Sequence, residues 1–296
     1  MNTTTIRVAA ACYPIDRLRR WRDYADKLAR QVTAAAANGA QLLLFPEYAA
    51  LELAALIPAD ESQDVQAQLA AVQAYRDPFL ALHAALSREH GVYIAAASFP
   101  VRLAGGGFRN RVYLFAPTGR IDFQDKLYLT RCEQDWGIGG GEALNVFETA
   151  CGPLGVCICY DVEFPWIARW LAMAGAKLIL TPSCTEAWTG YHRVRYCSQA
   201  RAVENQCYVV HAVTVGAAEW SPFIDRNVGR AAVYAPADFA FPDNGVLAET
   251  SGAGETWVYA DLNGDLIDAV REQGQTLNFR DGAGPERQAV LTVVTL

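Results

Sequence analysis

Twice in this chain a helical pattern closes on glycine, passes into an apolar run and stops at proline. The first copy is Gly39-Ala40-Gln41-Leu42-Leu43-Leu44-Phe45-Pro46 and the second is Gly175-Ala176-Lys177-Leu178-Ile179-Leu180-Thr181-Pro182. A short run with no polar alternation reads as a buried strand, and each copy leads straight into a polar residue, Glu47 or Ser183. Two readings are open. One is that helix–glycine–strand–proline is ordinary punctuation. The other is a pair of related α/β halves whose helix-covered sheets pack face to face. That arrangement is a four-layer α-β-β-α sandwich, with residues 1–296 as a single domain.

The remaining pattern supplies the other layers. Apolar runs predict strands over 6–12, 92–99, 111–116, 120–125, 145–148, 154–159 and 207–215. Helical spacing covers 16–38, 64–90 with a break near Pro78, 165–174 and 190–205. Residues 127–144, rich in glycine, read as an irregular loop, and a loop of that length inside a compact fold is more often functional than not. From about 216 onward the chain reads as loops and short strands, including 257–261 and 289–296.

Composition narrows the class. With 52% hydrophobic and 19% charged residues the chain is a folding one. A net charge of −7 without any basic cluster argues against nucleic acid. The N-terminus lacks the pattern of a signal peptide, and no run of about 18 apolar residues marks a membrane span. Eight cysteines without a secretory signal read as reduced thiols, so a cytoplasmic protein is expected.

Three short segments carry reactive side chains just past apolar runs, where ligands of α/β sheets gather. They deliver Glu47 after Phe45-Pro46, Lys126 after Phe123-Gln124-Asp125, and Cys159 after Val156-Cys157-Ile158. A thiol nucleophile, a carboxylate base and a cation to hold negative charge form a hydrolytic apparatus for carbonyl or nitrile carbon. Pro165 opens the helix after Cys159, giving the strand–turn–helix step of a nucleophile elbow. The helix N-terminus and the lysine are both expected to favour the thiolate. Other chemistries fit less well. The histidines 83, 90, 192 and 211 stand in no recognisable pairing with a cysteine, Cys157 and Cys159 have no second pair at zinc spacing, and the glycines of 137–141 lack a phosphate-loop context. No metal or cofactor is expected.

Together these segments resemble the nitrilase superfamily of carbon–nitrogen hydrolases, whose fold is the four-layer sandwich. The resemblance implies Cys159 as nucleophile, Glu47 as general base and Lys126 as oxyanion holder. It implies a second glutamate that positions the substrate, matched by Glu133 with Glu142 as fallback. It continues through Thr181-Pro182-Ser183, Thr189-Gly190 and Ala200–Gln206, where Arg201 and Glu204 read as a structural pair. Tyr160-Asp161 after the cysteine is similar to amidase-type members, whereas nitrilases proper carry tryptophan there. Ser183-Cys184-Thr185 departs from the ω-amidase pattern, so that substrate is not implied. Tyr160, Trp136, Trp188 and Arg193 are expected to line the substrate pocket, with Arg131 and Arg193 as the cations for an acidic substrate. The expected activity is hydrolysis of a small carboxamide through a thioester with release of ammonia. Nitrile or N-carbamoyl hydrolysis is the alternative, and a non-catalytic ligand-binding or partner-binding member is the reading from another class. A homodimer or larger homo-oligomer is implied by the resemblance alone.

Overall fold

The computed structural model describes residues 5–252 and 254–282. Strand β1 (Thr5–Pro14) leads to α1 (Trp21–Ala37), β2 (Leu42–Leu44), α2 (Ala59–Gln63), α3 (Val65–Ala71) and α4 (Arg76–His90). Strands β3 (Tyr93–Ala95), β4 (Phe99–Arg102), β5 (Phe108–Phe115) and β6 (Ile121–Asp125) follow, then α5 (Arg131–Asp135) and β7 (Ile138–Gly139). The second half runs β8 (Val146–Phe147), β9 (Leu154–Val156), α6 (Pro165–Met173), β10 (Leu178–Ser183), α7 (Trp188–Asn205) and β11 (Tyr208–Ala217). It continues with β12 (Arg226–Asn227), β13 (Ala232–Tyr234), β14 (Val246–Glu249), β15 (Trp257–Asn263), α8 (Gly264–Gln273) and α9 (Asn278–Asp281).

Two sheets result. One has β4-β5-β3-β2-β1 in order, with β15 antiparallel on the far side of β1; the other has β8-β9-β10-β11 with β13 and β14 beyond. They join where Cys12–Pro14 of β1 run parallel to Val213–Val215 of β11. The two-residue period of β1 sorts its side chains cleanly. Val8, Ala10 and Cys12 share a core with the second sheet and α6 and α7, whereas Ala9, Ala11 and Tyr13 share one with α1 and α4. Helices therefore cover the outer faces and the sheets meet inside, which is the four-layer α-β-β-α sandwich. On α1 the buried stripe is Tyr24, Lys27, Leu28, Val32 and Ala35, at helical spacing.

The paired segments are equivalent in the fold. β2 runs parallel to β1 and β10 runs parallel to β11, each after a helix ended by a glycine at positive φ, Gly39 at 81° and Gly175 at 105°. The chain after each strand then meets the other: the Cys184 N–H donates to Glu47 Oε2 at 3.0 Å.

Several boundaries differ from expectation for identifiable reasons. The 64–90 pattern breaks at a 3-10 turn over Val72–Tyr75, and Pro78 sits in the first turn of α4, where its missing N–H leaves no bond unmade. Residues 92–99 divide into β3 and the start of β4. The loop of 127–144 contains α5 and β7. The 257–261 strand runs on to Asn263, which caps α8, a helix with a buried stripe of Ile267 and Val270 where only loops and short strands are expected. The expected strand at 289–296 lies outside the described residues.

A buried ion pair pins the segment after Glu47. Glu52, in the 3-10 stretch Ala49–Leu56, accepts from Lys27 Nζ at 2.6 Å and from Tyr13 Oη at 2.7 Å, tying that stretch to α1 and β1.

Two buried histidines set an acid limit. Burial holds His83 down to about 4 and His211 down to about 3, so both are neutral in the fold. The unfolded chain protonates them below the ordinary value of 6.5, so stability present above that pH is lost as pH falls from 6.5 through 4. Well below 6.5 each histidine is expected to contribute a slope of about 1.4 kcal/mol per pH unit. Urea unfolding of His83→Phe, which suits its aromatic surroundings of Phe79 and Phe115, should show roughly half that histidine-dependent slope.

Candidate active site

Each of the three expected residues is delivered by a sharp change of chain direction. After β2, Pro46 and Glu47 are followed by Tyr48 at φ 53°, whose N–H is held by Ser98 Oγ at 2.8 Å. Lys126 follows β6 directly; its N–H donates to the Asn110 carbonyl at 2.8 Å and its carbonyl accepts from Gly141 N–H at 2.7 Å. Cys159 stands at φ 48° at the start of a 3-10 turn, Cys159–Glu163, with α6 opening at Pro165. Left-handed backbone at a non-glycine residue stores strain, and this is the strained turn of a nucleophile elbow. The strand before it is shorter than expected, ending at Val156.

The side chains converge. Lys126 Nζ donates to Glu47 Oε1 and to Glu133 Oε2, both at 2.7 Å. All three groups are buried, Lys126 at 1% exposure and both glutamates at 2%. The Cys159 sulfur lies 3.9 Å from the Cys184 carbonyl, the same residue whose N–H bonds Glu47. Glu133 also accepts from Tyr48 Oη at 2.8 Å, from Asn110 Nδ2 at 3.1 Å, and from Thr130 N–H and Oγ1 at 2.9 Å each. Glu142 does not join: its side chain is 90% exposed and faces Arg109 at 3.5 Å.

Electrostatics separate the groups. Burial alone pulls the Lys126 ammonium down, but the Glu133 and Glu47 charges outweigh it and hold it well above the usual lysine range. Burial raises the Glu47 carboxyl, opposed by Lys126 and reinforced by Glu133. Glu133 is held low: burial is outweighed by the Lys126 charge and by hydrogen bonds from Lys126, Thr130 and Tyr48. The expected thiolate-favouring setting at Cys159 is not found. Burial first, then the Glu47 charge, push its thiol well above the ordinary range, against the weaker pull of Lys126. Burial thus favours the protonated thiol, so forming a thiolate requires passing that proton to a neighbouring base.

The expected lining residues are placed more loosely. Tyr160 is half-buried and packs edge-on against Phe164 with ring centroids 4.8 Å apart. Trp136 packs on Phe223 at 4.3 Å, and Phe223 on Tyr48 at 5.7 Å, making an aromatic wall beside Glu133. Trp188 is 50% exposed at the start of α7. Arg193 is largely exposed and faces Glu163 of the elbow at 3.5 Å, while Arg131 is exposed on the helix that carries Glu133. Arg201 pairs with Glu204 at 2.5 Å as expected, and it also donates to the Val162 carbonyl at 2.9 Å, bracing the elbow.

Two further residues shape the site: Asp161, whose sequence position gave no structural role, and Asn110, which lies in none of the three segments. Asp161 accepts from Tyr128 N–H at 2.8 Å, Ile158 N–H at 3.2 Å and Leu127 N–H at 3.3 Å, so it clips the lysine segment onto the elbow. Burial pushes its carboxyl up to about 7 against those three donors. Asn110 contacts both glutamates. It occupies the apolar phase of β5, with Phe108, Val112 and Leu114, and a polar residue in that phase was the available signal. Among the described residues no group of three or more His, Cys, Asp or Glu side chains is arranged to hold a metal ion.

A four-layer sandwich with acid, amine and thiol at one rim has the form of a carbon–nitrogen hydrolase. The carbon–nitrogen hydrolase family profile matches residues 7–272, and the chain belongs to that family. It is 34% identical over 277 residues to the probable hydrolase YhcX of Bacillus subtilis, covering 93% of this chain and 53% of that protein. The chain thus spans about half the length of that relative. It is 30% identical over 209 residues to a deaminated glutathione amidase of Synechocystis, covering 66% of this chain and 73% of the relative. Saccharomyces cerevisiae Nit3, a nitrilase-superfamily structure, superposes with a TM-score of 0.71 at 21% identity over 90% of this chain and 93% of its own.

Proposed function

We propose that the chain is an amidase that hydrolyses a small carboxamide through a Cys159 thioester. The observation that carries this is Lys126, buried, bonded to Glu47 and Glu133 at once, with the thiol alongside. Glu47 takes the proton of Cys159 as sulfur attacks the amide carbon. The oxyanion that forms is held by the third N–H of the Lys126 ammonium, its first two being spent on the glutamates, and by the Tyr160 main-chain N–H. The C–N bond then breaks, Glu47 returns the proton to the leaving nitrogen and ammonia departs. Water attacks the thioester, giving its proton to Glu47, and the carboxylic acid is released with the thiol restored. Glu133 acts through Lys126 in this scheme, since its oxygens already carry five donors.

An amidase relative supports the amide over the nitrile or N-carbamoyl alternative. So does Tyr160-Asp161 after the nucleophile, by the family resemblance. Rapid-quench kinetics with small amides are expected to show an ammonia burst equal to the enzyme concentration, and intact mass an acyl group on Cys159. An acyl group on any other residue, or no turnover of amides, nitriles and carbamoyl compounds alike, sinks the proposal and leaves the binding reading.

The rest of the proposal is a single-domain, cytoplasmic enzyme needing no cofactor and binding no nucleic acid. All eight cysteines are unpaired, in keeping with a reducing compartment. No helix among the described residues is long and apolar enough to cross a membrane. A homodimer or larger homo-oligomer is also proposed, supported by the exposed stripe Trp166, Trp170 and Met173 on α6, and sedimentation velocity measures it directly.

A further inference from the structure

Asn110 is fully buried, yet one side chain of it touches both carboxylates of the site. Its Nδ2 donates to Glu47 Oε1 at 2.9 Å and to Glu133 Oε1 at 3.1 Å, while its main-chain carbonyl accepts the main-chain N–H of Lys126 at 2.8 Å. The neighbours dictate which way the amide points: turned over, its oxygen faces two carboxylates and no donor. The orientation adopted leaves Oδ1 buried without a hydrogen-bond partner among the described residues. A bare buried carbonyl is unfavourable. What offsets it lies on the carboxylate side of the amide.

Counting lone pairs shows what that is. Glu133 carries five donors on its two oxygens and has none open. Glu47 Oε1 carries Lys126 Nζ and Asn110 Nδ2, so it too is full. Glu47 Oε2 carries only the Cys184 N–H. A single acceptor position remains on the two acids.

We propose that Asn110 is a positioning residue: by filling Oε1 of Glu47 beside Lys126, it leaves Oε2 as the oxygen that receives the Cys159 proton. Its bond also favours the ionised form of Glu47, the form required before attack. This inference rests on the reading of Glu47 as the base. The titratable groups acting on Glu47 are Lys126, Glu133 and Cys159, with Tyr48 and Cys184 beside it and Asp161 beyond, acting on Lys126.

The test uses the whole chain with Asn110→Leu, Asn110→Asp and Glu47→Gln. The rate of Cys159 alkylation by iodoacetamide, followed by peptide mass spectrometry from pH 5 to 9, reports the thiol–carboxylate pair without turnover. Amide kinetics give kcat and KM alongside. In Asn110→Leu the acid limb of alkylation should move up by roughly one pH unit, because Glu47 has lost a donor to its anion. Its kcat should fall roughly 10- to 100-fold with KM nearly unchanged. Asn110→Asp, near-isosteric, donates only while protonated, so it should stay closer to the parent at low pH and fall away as pH rises. An unchanged limb and kcat in Asn110→Leu overturn the inference. So does an identical, pH-independent loss in both Asn110 variants, which marks a packing role. If Glu47→Gln is alkylated like the parent at every pH, the base assignment fails and the inference fails with it.

Discussion

Cys159→Ala is expected to lower kcat/KM by on the order of 10⁴-fold or more, since removal of a nucleophile leaves only binding and oxyanion stabilisation. Cys159→Gly should be equally inactive yet more stable than the alanine variant. At φ 48° a side chain with a Cβ sits in the left-handed region. That costs an L-residue roughly 1–2 kcal/mol, and glycine escapes the cost. The greater freedom of glycine in the unfolded chain takes back part of the gain, leaving a difference of about 1 kcal/mol. Urea unfolding of the pair measures it. Alanine equal to or above glycine would mean the elbow is not left-handed, and the strained-turn account would have to be dropped. Full activity in either variant would remove Cys159 from the chemistry altogether.

The second large effect is on stability as well as turnover. Lys126→Met keeps much of the buried volume but leaves Glu47 and Glu133 joined only through Asn110, both at 2% exposure. Removing one partner of a buried ion pair costs about 3–5 kcal/mol, because the other charge stays buried without compensation. Here two acids lose their cation, and the expected response is uptake of a proton by Glu47. It has fewer donors than Glu133 and is already raised by burial. A protonated Glu47 cannot accept from the thiol, so activity is lost as well. The stability deficit of the variant relative to the parent should therefore shrink as pH falls through the raised Glu47 value, on top of the loss below 6.5 that both chains share through His83 and His211. Chemical denaturation at pH 7.5 and 5.5 decides this. A variant as stable as the parent at both values would show that Lys126 is not the keystone between the acids.

Much of the fold was legible because burial on both faces leaves a simple trace. Leu42-Leu43-Leu44 and Leu178-Ile179-Leu180 admit no polar residue, since each strand has helices on one side and the other sheet on the other. The glycine stops at 39 and 175 and the proline at 165 were equally plain, because each answers a local backbone need. What went unread was α8, the split of residues 92–99 and the true break in the 64–90 helices. Those boundaries depend on what packs against them. Asp161 illustrates the same limit inside a recognised motif: its partners Leu127 and Tyr128 are 34 and 33 residues away in the chain.

The chemistry of the site was a property of residue types and order: a glutamate, a lysine and a cysteine, each just past an apolar run. The resemblance already implied Glu47 as base and Glu133 as the second glutamate; what three dimensions add is the set of donors that distinguishes the two acids. Glu47 and Glu133 share one lysine and one asparagine, and the difference between them is the donors brought by Tyr48 and Thr130 to one and by Cys184 to the other. The direction in which the Cys159 thiol is shifted also depends on that arrangement. The side chains alone suggested a thiolate, whereas burial beside a carboxylate favours the protonated thiol, because desolvation depends on neighbours that linear order does not reveal.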